Sequence, residues 1–485
     1  MKSKADSSNQ NESRRKFIKS AGFITSGICL SGLPVLFAET VIERESIKEE
    51  LTERSSSLRL AVFRADVTPP IGSPLCGGLV KPVEGVTEPL LALGVVIIGS
   101  GDPIVLCAVD WCEIHNSDHV LWREKLASAA GTIPDRVTVH SLHQHNAPIA
   151  DSVADKIMAD APSPISVYNS EWGLEAINGV ADSILAALKH AKPLTHIAHG
   201  EAKVSQVASN RRVMGMDGKV AFVRTSATKD PKVREMPEGI IDPMLKTVSF
   251  WNGKQKLVAI HYYATHPMSY YGDGFVTSDF AGIAREKRSL EENVPHIYFS
   301  GCSGNITAGK YNDGDKLNRA VLSERMHSAM IESEKNIRPV PVGKVLWKVK
   351  PLVLTADPLF TEEQMFRVIN DNKKSNSVRI EAALRVSFIR HCAARTPVPV
   401  TSLHLGNNLC LLHLPAESFV EYQLFAQQIA PGDFVATAAY TDTGTEYIPL
   451  ENSYEEGGYE PTWAFAEPST ERVLKEIITD LLSIR

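Results

Sequence analysis

The chain has 485 residues, with 51 Lys and Arg against 57 Asp and Glu, and its net charge of −6 excludes the basic footprint that nucleic-acid binding needs. Seven cysteines, none in a C-x-x-C spacing, speak against a structural zinc site built from thiolates. The segment SRRKFIKSAGFITSGICLSGLPVLFA, residues 13–38, has adjacent Arg14 and Arg15 and then a short apolar run interrupted by Gly22, Gly27, Gly32 and Pro34. It reads as a twin-arginine export signal over 1–38, and the interruptions make it too weak for a membrane span. The expected location is therefore periplasmic or extracellular, reached through the twin-arginine machinery, with at most peripheral membrane contact. Residues 39–57 are a charged linker, and 58–485 are expected to form a single large domain. A chain that folds in a reducing cytoplasm before export should hold mostly buried free thiols, with room for one pairing afterwards.

LRLAVFRADVTPPIG is a strand ending at a Pro-Pro turn, and LALGVVIIGSGDPIVLCAVD is a hairpin turned at Gly-Ser-Gly-Asp. A helix over 117–130 leads back into the histidine strand of VTVHSLHQHNAP, residues 137–148. SEWGLEAINGVADSILAALKHA is a second helix with a serine at its N-cap. LKTVSFWNGKQKLVAIHYYATHP is a hairpin turned at Asn252-Gly253, followed by a capped helix in SDFAGIAREKRSLEE and the strand HIYFSGCSGN. Helices over 315–335, 361–371 and 378–390 precede a hairpin turned at Gly406-Asn407, and STERVLKEIITDLLSIR is a closing amphipathic helix. No internal sequence repeat stands out. Hairpins alternating with helices predict an α/β fold of two packed mixed β-sheets flanked by helices, a four-layer αββα-like arrangement.

Polar residues gather at the strand ends. His143 and His145 follow an apolar strand and fall on one face by strand alternation, with His140 opposite. His266 ends another strand, Glu417 lies in LPAESF, and tyrosines crowd TEYIPLENSYEEGGYE. Imidazoles with a carboxylate are the donor set of Zn²⁺, whose catalytic sites leave one position to water. No H-E-x-x-H helix is present, so the usual metalloprotease arrangement does not apply. Asp110 and Glu113 end a strand and are candidates to line the cleft or to support a ligand.

LHQHNAP, YYATHPMS with the following TSDFAG, LPAESF and the tyrosine-rich loop occur in the order found in the neutral/alkaline non-lysosomal ceramidase family, which the sequence resembles across most of 58–485. The resemblance implies a zinc-dependent amidase with one Zn²⁺ per chain held by His143, His266, Glu417 and Tyr447, with Tyr459 twelve residues further on as a second site tyrosine. It also maps the family's serine loop onto SGNITAGKYND, which sets Thr307 in place of the serine and Asn305 in place of an aspartate. SNRRVMG supplies Arg211 and Arg212 in a loop, where a solvated pair is the plainer reading and the same resemblance sets Arg211 near substrate.

The resulting expectation is hydrolysis of an N-acyl bond by metal-activated water. His145 serves as general base and then acid, Thr307 and Tyr459 hold the oxyanion or head group, and Arg211 and Asn305 bind substrate. Members of the family carry a further C-terminal β-sandwich for which this sequence offers no segment, which keeps two other readings open. One is a zinc hydrolase of an ester or carbohydrate-derived substrate, the other a metal-stabilised binding protein.

Overall fold

The computed structural model describes residues 57–483; the expected export signal and nearly all of the charged linker lie outside the described residues. Three consecutive segments of the chain build the same unit. In the first, Arg59–Asp66 pairs antiparallel with Leu91–Ile98, which pairs antiparallel with Ile104–Val109. The helix Asn116–Ala130 then crosses over to Val137–Ser141, which lies parallel to Ile104–Val109. His196–Lys203, Met244–Asn252, Gln255–Tyr263, the helix Asp279–Glu292 and His296–Ser300 repeat that order with the same strand directions. Val345–Leu352, Val398–Leu405, Leu409–His413, the helix Val420–Ile429 and Phe434–Ala438 repeat it again. Each unit is followed by a longer helix, Ser170–Leu188, Asn318–Glu334 or Thr470–Leu482, packed on the unit's first strand.

The α/β class, with mixed sheets and helices outside them, is as expected. The sheets of four or more strands among the described residues are three, where the expected layering had two. The physical reason is that each hairpin recruits its own crossover strand and so closes its own sheet. A sequence shows a hairpin through its turn but not which hairpins share a ladder. The threefold repetition is equally silent in sequence, because a buried strand asks only for apolar side chains of fitting size.

The three sheets turn apolar faces to one another. Val95 and Leu106 from the first, Val248 and Ile260 from the second, and Leu403 and Leu411 from the third are all fully buried in one cluster. Near the top of that core one side chain from each sheet meets the others: the His140 ring lies 4.8 Å from Phe299 and 5.0 Å from His413. His140 bonds through Nδ1 to the Ala439 carbonyl at 2.5 Å, which commits its ring to this core.

These interior histidines make the fold acid-sensitive. Burial pushes His413 down to about 3 and His119 to about 4, and holds His140 and His261 well below the ordinary value. Below the ordinary pKa near 6.5 the unfolded chain takes up a proton at each position that the native chain refuses, so the native stability is complete above that pH and drains away as pH falls toward the native pKa. A His413→Leu variant should gain on the parent by ~1.4 kcal/mol per pH unit between pH 6 and pH 4. Urea unfolding curves at half-unit steps measure this, and a pH-independent difference would refute it.

Candidate functional site

The third and fourth strands of every unit end on the same side of the molecule, and the loops that leave them converge. The first unit sends His143 and His145, the second His266 and Ser303, the third Glu417, Tyr440 and Tyr447. Among the described non-glycine residues with left-handed backbone, His143, Ala416, Tyr440 and Glu446 lie in these loops, and Cys76 lies against them. Each costs on the order of 1 kcal/mol or more, and such strain gathers where side chains must be aimed.

His143, His266 and Glu417 form a buried cluster that could hold a metal ion. Nε2 of His143 lies 3.2 Å and Nε2 of His266 2.8 Å from Oε2 of Glu417. The opposite ring nitrogens are already committed. His143 Nδ1 donates to the Cys112 carbonyl at 3.2 Å and His266 Nδ1 to the Ile306 carbonyl at 2.8 Å. Both imidazoles are thereby fixed with Nε2 turned inward, while Glu417 Oε2 has no hydrogen-bond partner of its own. Burial pushes His266 down to about 4. Burial also works against the Glu417 charge, but His143 and His266 outweigh it and keep the carboxyl ionised. A buried carboxylate converging with two inward ring nitrogens is a fit for a divalent cation of the Zn²⁺ type.

Tyr447 joins this cluster through the backbone. Its strand pairs in parallel register with Glu417, and its hydroxyl accepts a bond from Arg211 Nη1 at 3.1 Å. The Arg211 guanidinium sits 5.0 Å over the Tyr459 ring, and the two tyrosine rings are 5.9 Å apart. Tyr459 is 37% exposed, which places it at the rim. Arg211 and Arg212 are buried, and Arg212 pairs with Glu460 and Glu456.

His145 stands beside the cluster, its Nε2 3.5 Å from Nε2 of His143. The expected reason for that closeness does not hold, because the strand ends at Ser141 and His143 itself is left-handed at φ 66°. A turn brings the pair together. Thr307 Oγ1 donates to the Thr225 carbonyl of a neighbouring loop and accepts from Gly309 N–H in its own turn, so its hydroxyl is already taken up. The Asn305 side chain bonds Glu421 through Nδ2 and accepts from Val420 N–H through Oδ1, fastening the start of a helix.

Sequence reading overlooked Ser303 and Tyr440. The Ser303 hydroxyl lies 2.8 Å from that of Tyr440, whose ring stacks on His143 at 4.5 Å. The available signal was Gly301-Cys302-Ser303-Gly304, a serine in a tight turn two residues before Asn305. A Cβ on Gly304 would fall 2.2 Å from the Glu417 carbonyl oxygen, so only glycine lets that turn press against the ligand loop.

Glu113 supports the cluster from behind, with Oε1 3.4 Å from His143 Nδ1 and Oε2 2.9 Å from His115 Nε2. His115 Nδ1 in turn faces Asp151 at 3.3 Å. Burial disfavours charge on His115, but Asp151 and Glu113 outweigh it and raise its pKa well above normal. Glu113→Gln should weaken metal affinity by roughly 10- to 100-fold while leaving stoichiometry at saturation unchanged. Competition with a chromophoric chelator measures this, and an unaltered affinity would mean that the Cys112 carbonyl alone orients His143.

No family model and no curated relative matches the chain. Solved structures do, among them two ceramidases. One is described as a ceramidase complexed with C2, with 16% identity and a TM-score of 0.65, covering 88% of this chain and 75% of that one. The other is the neutral ceramidase from Pseudomonas aeruginosa, with 16% identity and a TM-score of 0.66, covering 88% and 74%. The described chain therefore shares the fold of the neutral ceramidases.

Proposed function

We propose that this protein is an exported zinc-dependent hydrolase that cleaves an N-acyl amide bond, taking a small-molecule or lipid N-acyl substrate. The observation that carries the reading is the convergence of two outward-anchored imidazoles and one buried carboxylate. The shared fold supports the choice of bond, and Arg14-Arg15 supports export.

His143, His266 and Glu417 would hold the ion, with the Tyr447 hydroxyl as a fourth donor. Bound there, Zn²⁺ supplies Lewis-acid polarisation of a carbonyl and brings the pKa of water toward neutrality. His145 Nε2 takes the proton from the attacking water and returns it to the leaving amine. Arg211 holds the Tyr447 hydroxyl in place, and the Ser303–Tyr440 hydroxyl pair donates toward the oxygen on which charge develops. Tyr459, with Tyr271 beside His145, borders the mouth. Thr307 acts indirectly, by fixing the loop whose Ile306 carbonyl orients His266.

The test is hydrolysis of short- and long-chain N-acyl amides and of the matching esters, before and after chelation and with Zn²⁺ restored. Amide cleavage that disappears with the metal and returns with it is expected. Preferential ester cleavage would move the assignment to the other bond, and turnover indifferent to chelation would refute the mechanism.

A further inference from the structure

A second cluster adjoins the first and shares a residue with it. Cys76, Cys112 and His145 present sulfur, sulfur and nitrogen, all within 4.8 Å of one another, and both cysteines are free and buried. No sequence spacing announces the pair, since thirty-five residues separate them, but the fold sets them side by side. Cys76 N–H bonds to the Ala147 carbonyl at 2.7 Å and Cys112 N–H to the neighbouring Pro148 carbonyl at 3.0 Å. Both sulfurs thus hang from the turn that follows His145.

Three features distinguish this group from ordinary buried thiols. Cys76 is left-handed at φ 46°, and Gly77 and Gly78 continue that conformation at 64° and 80°, so the turn holds a strained backbone where a glycine would relax it. Cys76 Sγ lies 3.6 Å from His145 Nδ1. That separation matches the edge of a tetrahedron built from metal–sulfur bonds of about 2.3 Å and metal–nitrogen bonds of about 2.0 Å. The Cys112 thiol and His145 favour a thiolate at Cys76, bringing its pKa down to about 5 although burial opposes this. The neighbouring Glu113, His115 and Glu446 cluster is a weaker candidate, because both ring nitrogens of His115 already face carboxylates.

We infer that Cys76, Cys112 and His145 Nδ1 form a second metal site, selective for a soft, thiophilic cation such as Zn²⁺ or Cd²⁺, and joined to the first through the His145 ring. Binding forms two metal–sulfur bonds and one metal–nitrogen bond and releases the remaining thiol protons to solvent. The described residues supply three donors, which leaves the fourth position to water or an exogenous ligand. A cation on Nδ1 leaves the neutral ring with its proton on Nε2, the atom that faces the first cluster. On the hydrolase reading, His145 then donates there where it would otherwise accept, so excess soft metal switches off its role as base.

The experiment is a Cd²⁺ titration of the reduced protein carrying its first metal, read by sulfur-to-cadmium charge-transfer absorption and by bound metal per chain. One equivalent bound with the absorption band is expected. The band should be lost in Cys76→Ser and in Cys112→Ser separately, and kept in Cys410→Ser, whose thiol lies in a strand of the third unit, and in His266→Ala. Persistence in His266→Ala separates this site from the first, so failure of the hydrolase reading does not decide the result. No thiolate band in the folded, reduced parent, or a band surviving in both cysteine variants, overturns the proposal. So does a Cys76–Cys112 disulfide that resists reduction in the native protein.

Discussion

Protein in which His143 and His266 are both changed to alanine should retain no metal at the first site, where the parent is expected to retain one zinc per chain. Its N-acyl hydrolysis should fall by about 10³-fold or more, the equivalent of the several kcal/mol that Lewis-acid stabilisation contributes to a transition state. The double change has a structural side too. Glu417 is buried, and without the imidazoles that keep its carboxyl ionised it must take up a proton or stand as an unpaired internal charge, a defect that costs up to ~3–5 kcal/mol. Adding Glu417→Gln removes that charge. The triple variant should therefore recover stability and remain metal-free. Elemental analysis, a thermal scan and an amide assay on the parent and both variants separate the two effects. Zinc that persists in the triple variant, with the thiol pair blocked, would refute the assignment of these ligands.

How far the sequence anticipates this site depends on what each residue needs. Local signals read true: Asn252-Gly253 turns a hairpin, and the helix expected at 117–130 spans Asn116–Ala130. The expected serine cap of the next helix lies one residue out, since Asn169 accepts the bond from Trp172 N–H. His143, His266 and Glu417 are legible because each sits in a distinctive short segment just beyond a strand. The arginine pair resisted reading. In a polar loop it looks solvated, and only the distant Glu460 and Tyr447 explain its burial. Ser303 and the Cys76–Cys112 pair are tertiary products in the same sense. Tyr440, the partner of Ser303, lies in another unit, the two cysteines meet from separate loops of the first, and no periodicity within one segment encodes which loops the fold brings together.

Asp110→Ala should be among the most destabilising single substitutions outside the metal ligands, at ~3–5 kcal/mol. Both Asp110 oxygens pair with Arg285, at 2.7 and 3.0 Å, and both side chains are 1% exposed. Oδ2 also accepts from Leu91 N–H at 3.0 Å, and the Asp110 carbonyl accepts from Gln144 Nε2, between the two site histidines. Arg285 belongs to the helix Asp279–Glu292 of the second unit, so this ion pair clamps the loop leading to Glu113 against the unit that supplies His266. Alanine at 110 leaves the guanidinium buried without its anion, which is where most of the cost arises. Asp110→Ala combined with Arg285→Met removes both charges and should regain most of the stability, because a buried pair costs nearly as much to desolvate as it returns. The double variant then isolates the clamp's second role. If the pair serves only stability, the rescued protein binds zinc like the parent. If it also sets the register between His143 and His266, zinc affinity stays reduced after stability is restored, and the latter is the expected result because Asp110 holds both the helix of the second unit, through Arg285, and the His143 loop, through Gln144.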